Sequence, residues 1–173
     1  MSRPSALPLD APEAPCSDES CSVTTPDAAN LCPASQTIGS NVDLITVKAL
    51  LTGDALRRLD GKAYRFCPAP GCDVVYFDIA ADSIFRKSDL TVRVGQKETQ
   101  DPIPVCYCFD FSVADLRRDL AARGKTEIPA IIATNVKAGH CACEVKNPQG
   151  TCCLGNVSRA VKGLQSEIRL ATA

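Results

Sequence analysis

The sequence has no tryptophan, one methionine and one histidine, and only three tyrosines and five phenylalanines. So few large aromatic side chains predict an aliphatic core of modest size. The 19 Lys and Arg residues against 20 Asp and Glu give a formal net charge of −1, which argues against a nucleic-acid partner held by a basic face. No apolar run approaches the ~20 residues of a membrane-spanning helix, and the N-terminal stretch lacks the apolar segment of a secretory signal. We therefore expect a cytoplasmic location, without membrane insertion.

Cysteine is the abundant exception. The 173 residues include 11 cysteines, at positions 16, 21, 32, 67, 72, 106, 108, 141, 143, 152 and 153. An odd number of cysteines in a reducing compartment is a poor basis for disulfide bonds. Thiolates are soft ligands that bind zinc, Cu(I) and iron–sulfur clusters, so the composition indicates a metal-binding protein.

The chain divides into four parts by composition, and together they predict an α+β protein. Residues 1–31 contain five prolines among small and acidic residues, which predicts a disordered tail that includes two of the cysteines. Residues 32–94 are typical of a small β-rich module, and residues 106–173 of a helical one. The intervening residues 95–105, with two prolines, are predicted to be a linker.

Within the β-rich module the pattern predicts one helix and several short strands. The helix candidate spans 53–61. Strands at 64–67 and 73–79 flank a Pro-Ala-Pro-Gly turn, and strands at 83–87 and 90–94 continue the sheet.

The helical module contains three predicted helices. The first begins after Ser112, which starts an S-x-x-D motif resembling a capping box, and ends at Gly124. The second begins after Thr126, tolerates a proline in its first turn and ends at Gly139. The third begins near Asn156 and repeats apolar residues at helical spacing.

Six cysteines of the helical module occur as three close groups: Cys-x-Cys at 106–108, Cys-x-Cys at 141–143 and Cys-Cys at 152–153. Two of these groups precede predicted helix N-termini, where free backbone N–H groups favour thiolates. A [2Fe–2S] cluster needs four thiolates, usually hydrogen-bonded by backbone amides. Zinc in the same cage remains an alternative, as does a purely structural role as small buried apolar residues.

Three cysteines of the β-rich module indicate a second metal site. Cys67 and Cys72 lie on two predicted strands joined by the Pro-Gly turn, and Cys32 begins a Cys-Pro-Ala-Ser motif that looks like half of a zinc knuckle. Structural zinc sites have four ligands, and a neutral hydroxyl is a poor fourth. The candidates for that position are Ser35, water, Cys16 and Cys21, and a metal-free hairpin is the alternative to a zinc site.

Five segments together resemble the N-terminal half of the CopZ-type copper chaperones. They are CPAS (32–35), YRFCPAPGCDVVYF (64–77), VRVGQKE (92–98), PVCYCF (104–109) and CACEVKNPQGTCCLGNV (141–157). The resemblance covers residues 32–165. It implies a zinc-binding β-rich module followed by a helical [2Fe–2S]-binding module similar to bacterioferritin-associated ferredoxins.

Motif matching within this resemblance implies the ligands of both metals. The cluster ligands are Cys106, Cys108, Cys143 and Cys153. The zinc ligands are Cys32, Cys67, Cys72 and Ser35, and the serine departs from the family pattern. Full-length relatives end in a heavy-metal-associated domain with a Met-x-Cys-x-x-Cys loop; Met1 is the only methionine here and no Cys-x-x-Cys occurs, so we expect a stand-alone form without that domain.

The resemblance implies an iron–sulfur and zinc-binding metallochaperone or redox accessory protein of copper or heavy-metal handling, with one-electron transfer through the cluster. Its expected partners are copper or other soft metal ions and a redox or metal-transport protein. The alternative is a non-enzymatic interaction or redox-sensor module in metal resistance. An enzyme is not expected, because the sequence shows no Gly-rich dinucleotide loop and no nucleophile–base pair.

Three further residues of the helical module have open roles. Cys141 and Cys152 are left over beside the cluster and are interpreted as buried spacers, with a soft landing site for Cu(I) or Hg(II) as the alternative. His140 is interpreted as a solvent-facing linker residue, although histidine is also a cluster ligand in Rieske centres.

Overall fold

The computed structural model of the protein describes residues 30–171. The predicted tail, with Cys16 and Cys21, therefore lies outside the described residues apart from its last two positions. Within the described residues the protein is α+β, as predicted, with a sheet in the first half and helices in the second.

The first half is built on a four-stranded antiparallel sheet. Its strands are β1 (Ser40–Val42), β2 (Tyr64–Phe66), β3 (Val74–Asp78) and β4 (Ile84–Arg86), in the spatial order β1-β2-β3-β4. All five residues of β3 are buried, which explains its continuous apolar sequence: a strand covered on both faces shows no alternation. The predicted strands at 64–67, 73–79 and 83–87 are thus confirmed, to within the usual end effects.

Two short helices precede β2, and one of them was not predicted. Helix α1 (Leu44–Leu50) is rich in β-branched residues, which have weak helix propensity, and it forms because its Thr46, Val47 and Leu50 side chains are buried. Helix α2 (Gly53–Leu56) is shorter than the predicted span 53–61. The predicted strand at 90–94 is wrong, since only Leu90 makes an isolated bridge, with Leu51.

The second half contains a two-stranded hairpin and four helices. Strands β5 (Pro104–Cys106) and β6 (Phe111–Ser112) lead into α3 (Val113–Arg123), which is followed by α4 (Ile128–Lys137), α5 (Cys143–Lys146) and α6 (Leu154–Ala171). The hairpin and α5 were not predicted, because segments of two to four residues carry no readable periodicity.

The three predicted helices of this half are confirmed. The Ser112 side chain accepts a hydrogen bond from the Asp115 backbone while the Asp115 side chain accepts one from the Ser112 backbone, which is the predicted capping box. Gly124 ends α3 in the left-handed conformation. On α6 the side chains of Val157 and Leu164 are buried, as the helical spacing predicts.

Each half has its own apolar core, and the two halves pack against each other. The first core combines residues of the sheet, of α1 and α2 and of the segment that follows β4, and the second combines α3, α4 and α6 with Cys106 and Cys153. Helix α1 of the first half packs against α5 of the second. No helix among residues 30–171 combines the length and the apolar character needed to cross a bilayer.

Candidate metal centres

The sulfur atoms of Cys32, Cys67 and Cys72 converge in the first half of the protein. All three lie within 4.8 Å of one another, and those of Cys32 and Cys72 are 3.8 Å apart. Metal–sulfur bonds of about 2.3 Å in a tetrahedral zinc site place neighbouring sulfur atoms about 3.8 Å apart. The spacing of these thiols therefore suits one tetrahedral metal ion.

Two local turns bring these three thiols together. The backbone of Cys32 begins a tight turn, accepting a hydrogen bond from the Gln36 N–H and donating one to the Thr37 carbonyl, both at 2.9 Å. Cys67 directly follows β2 and its N–H donates to the Val75 carbonyl on β3 at 2.9 Å, so the β2–β3 pairing continues into the turn that carries Cys72. The sheet thus positions Cys67, and the two turns position Cys32 and Cys72.

Ser35 lies beside this trio, as the motif matching implies. Its hydroxyl oxygen is 3.4 Å from the sulfur of Cys67. Burial opposes ionisation of Cys32, but hydrogen bonds from the Ser35 hydroxyl and from the Ser35 and Ala34 backbone outweigh it and lower the pKa of Cys32 to about 7. Burial raises the pKa of Cys72. The serine therefore lies beside the trio and stabilises the thiolate form of Cys32.

A buried lysine that sequence reasoning missed adjoins the same trio. The side chain of Lys97 is 5% exposed, and its ammonium donates to the carbonyl oxygens of Ala69 at 2.9 Å and Cys72 at 3.1 Å. It also lies 5.8 Å from the centre of the Phe66 ring. These hydrogen bonds hold the Cys67–Cys72 turn, and a positive charge here would offset the surplus negative charge of a metal-bound set of thiolates. Lys97 falls in the predicted linker, so no local pattern indicated its burial.

The helical half arranges its cysteines differently, as two close pairs. The sulfur atoms of Cys108 and Cys143 are 3.7 Å apart, and Cys106 and Cys153 lie together in the helical core, where their thiols interact. Among the described residues, the trio of the first half is the only group of three or more cysteine, histidine or acidic ligand atoms that all lie within 4.8 Å of one another. Two separate pairs of thiols suit two metal ions better than one.

Three segments supply these pairs. The β5–β6 hairpin carries Cys106 and Cys108, α5 begins at Cys143, and Cys153 immediately precedes α6, where its carbonyl accepts from the Val157 N–H at 3.0 Å. The backbone N–H of Ala142 donates to the sulfur of Cys108 at 3.3 Å. Amide-to-sulfur hydrogen bonds of this kind are typical of iron–sulfur sites.

In each pair one thiol has a pKa raised above that of an ordinary cysteine. The hydrogen bond from Cys153 lowers the pKa of Cys106 to about 6, whereas the same hydrogen bond raises the pKa of Cys153. Burial and the neighbouring Cys108 raise the pKa of Cys143 to about 12. Each close pair therefore retains a proton without a metal, and a bound cation would displace it.

Comparison with known proteins identifies relatives of this chain. Residues 29–91 match a family model described as the zinc-binding domain of CopZ. The copper chaperone CopZ of Archaeoglobus fulgidus is 36% identical over 128 residues, which is 74% of this chain and 60% of the relative. The X-ray structure of the N-terminal domain of that protein superposes with a TM-score of 0.63 at 35% identity, covering 75% of this chain and 95% of the other.

This chain corresponds to the N-terminal half of CopZ-type copper chaperones. The resemblance inferred from the five sequence segments is thereby confirmed. The chain spans about 60% of the length of the curated relative it matches. In this CopZ-type chain the family model covers β1 to β4, so the zinc-binding assignment falls on the half that holds the cysteine trio.

The remaining candidate residues of the CopZ-type chain lie outside both groups. Cys152 is exposed and Cys141 partly buried, so Cys152 is not a buried spacer. His140 is exposed, and its Nδ1 lies 3.1 Å from the Oδ1 of Asn135, as predicted for a solvent-facing residue.

Proposed function

We propose that this protein is a zinc- and iron–sulfur-binding metal chaperone or redox accessory protein of copper or heavy-metal handling. The single observation that supports it best is the contrast between its two thiol groups. A compact trio suits one zinc ion, whereas two separate pairs, 106/153 and 108/143, suit the two irons of a [2Fe–2S] cluster.

In the first half, Cys32, Cys67 and Cys72 would hold a structural zinc ion, with the Ser35 hydroxyl as a candidate fourth ligand beside Cys67. The trio is packed against the apolar side chains of Val74 and Phe77. A closed, buried set of thiolates is typical of structural rather than catalytic zinc. The zinc would add its binding free energy to the folding of the small sheet.

In the helical half, Cys106, Cys108, Cys143 and Cys153 would hold the cluster, in a module similar to bacterioferritin-associated ferredoxins. A bound [2Fe–2S] cluster supplies one-electron transfer. Three of the four cysteines are buried, and Cys108 is partly exposed. The core around them excludes water, while the Ala142 N–H stabilises negative charge on the Cys108 sulfur.

The metal that the protein works with is inferred from its relative and from the donor atoms. Because the Archaeoglobus protein is a copper chaperone and thiolates prefer soft ions, we infer that the chain works with copper or another soft metal ion, together with a redox or metal-transport protein. The nine described cysteines are all free thiols, a state that the reducing cytoplasm maintains.

Metal analysis of the purified protein tests this proposal. Purification in parallel with and without oxygen should give brown protein with about two irons and two acid-labile sulfides per chain and about one zinc. Colourless protein with about two zinc ions and no sulfide would contradict the redox function. Protein with iron and sulfide but no zinc would contradict the assignment of the first site.

A further inference from the structure

We propose that the first half of the protein positions the loop between the third and fourth proposed cluster cysteines, through Tyr76 on the sheet and Thr46 on α1. This loop, residues 147–151, joins α5, which begins with Cys143, to the Cys152–Cys153 pair. The inference rests on the proposed cluster ligands. It adds that the zinc-binding half is a working part of the cluster site.

The loop has a specific shape that depends on Asn147. This side chain is 2% exposed; its amide donates to the Thr151 carbonyl at 2.6 Å and its oxygen accepts from the Gln149 N–H at 3.2 Å. The Gly150 N–H closes the turn by donating to the Asn147 carbonyl at 2.7 Å. The turn thus sets the distance between Cys143 and Cys153.

Tyr76 fastens this turn to the sheet. It is fully buried on β3, and its hydroxyl donates to the Pro148 carbonyl at 2.9 Å. A buried carbonyl is costly to leave without a donor, and Pro148 is itself buried. The hydroxyl of Tyr76 therefore fixes the loop at its second residue.

Helix α1 holds the other end of the turn. Gly150 has a φ of +67°, and a Cβ atom placed there would lie 2.9 Å from the hydroxyl of Thr46 and 3.5 Å from a methyl carbon of Val42. Thr46 is fully buried on α1. The absence of a side chain at Gly150 thus allows α1 to approach the loop backbone directly.

Polar side chains make a third connection. The Gln96 amide donates to the Oδ1 of Asn156 on α6 at 3.2 Å, and the amide of Asn156 donates to the side-chain oxygen of Gln149. The loop is thus held by the sheet, by α1 and by the segment that follows β4.

We use the name clamp for the contacts of Tyr76, Thr46 and Gln96 that hold the loop. The clamp lies next to the proposed zinc ligands. Phe66 on β2 lies opposite Tyr76, with ring centres 6.3 Å apart, and the next residue is Cys67. The Cys67 N–H bonds to the carbonyl of Val75, the neighbour of Tyr76. Zinc that orders this turn would therefore also order the base of the clamp, and its removal should loosen the cluster loop.

The test compares Tyr76→Phe with the matched control Tyr64→Phe in the full chain. Tyr64 is a buried tyrosine of the neighbouring strand, but its hydroxyl contacts Asp60 and Ser83 within the first half. We expect Tyr76→Phe to lose its cluster to an iron chelator about fivefold faster than wild type, the effect of one buried hydrogen bond. Tyr64→Phe should match wild type, and zinc content should be unchanged in both.

A second measurement does not need the cluster. Hydrogen exchange of the loop amides, recorded on zinc-loaded protein without the cluster, should be faster in Tyr76→Phe than in Tyr64→Phe. Wild-type zinc removal should accelerate the same amides. Equal exchange in both variants would overturn the clamp, whatever the iron content. If wild-type protein holds no iron or sulfide but the exchange difference is present, the proposed function fails and the clamp stands.

Discussion

The cysteine trio of the first half and the two cysteine pairs of the helical half differ in geometry. The trio of the first half is assembled by a hairpin and a tight turn, and its three sulfur atoms share one centre. The helical half spreads four thiols over three segments and brings them together as two pairs. Both groups join cysteines far apart in sequence, 40 positions for Cys32 and Cys72 and 35 for Cys108 and Cys143. The trio is held by turns beside the sheet, whereas the pairs depend on how helices and loops pack.

The largest expected effect is loss of the proposed cluster when a cysteine of either pair is replaced. Serine variants of Cys106, Cys108, Cys143 and Cys153 should each be bleached or spectrally altered, because one iron is opened to oxygen ligands. The matched controls are Cys141→Ser and Cys152→Ser, which lie in the same motifs but outside the pairs.

Iron and sulfide per chain and the visible spectrum measure the outcome. Zinc content should be unchanged in all six variants, since the trio lies in the other half. Bleaching by Cys141→Ser with retention in Cys143→Ser would show that the ligand register of this loop is shifted by two residues.

The packing between the halves gives the next largest effect. Gly150→Ala combines the left-handed strain of about 1–2 kcal/mol with a collision against Thr46 that adds about 1–3 kcal/mol. Gly124→Ala and Gly139→Ala, at φ of +66° and +74° with open space around each, should carry the strain alone. Chemical unfolding measures the three free energies. Equal losses in all three variants would contradict a tight contact between α1 and the loop.

Removing the buried charge near the trio should weaken zinc binding. Lys97→Met leaves the carbonyls of Ala69 and Cys72 without their donor and removes the compensating charge. Loss of an outer-shell partner reduces metal affinity by about 10–100-fold. Competition with a zinc chelator measures this, with the exposed Lys48→Met on α1 as the control. Unchanged zinc affinity in Lys97→Met would mean that the lysine only fills space.

The smallest expected effect is a gain in zinc affinity. Ser35→Cys should tighten zinc several-fold, because a thiolate replaces a neutral oxygen in a tetrahedral site. Ser158→Cys, on the exposed face of α6, controls for an extra thiol elsewhere. No change in zinc retention would point to Cys16 or Cys21 as the existing fourth ligand, and their replacement should then release zinc.

Much of the fold was predictable where the signal is local. The capping box at Ser112 and Asp115 and the glycine at the end of α3 are side-chain and backbone preferences that act within a few residues. Helix α1 was missed because its β-branched sequence carries no helical signal and its stability comes from burial of Val47 and its neighbours. The strand predicted at 90–94 was wrong because the apolar alternation there reflects burial of Leu90 and Val94 rather than strand pairing.

Composition and short motifs are enough to indicate metal binding by thiols, because cysteines recur in close groups beside turns that contain proline and glycine. How the cysteines group in space depends on tertiary packing, because Cys106 and Cys153 come from distant segments. Tertiary packing also decides that Lys97 is buried beside the trio and that Tyr76 reaches Pro148. Such contacts join residues far apart in the chain, and no local preference encodes them.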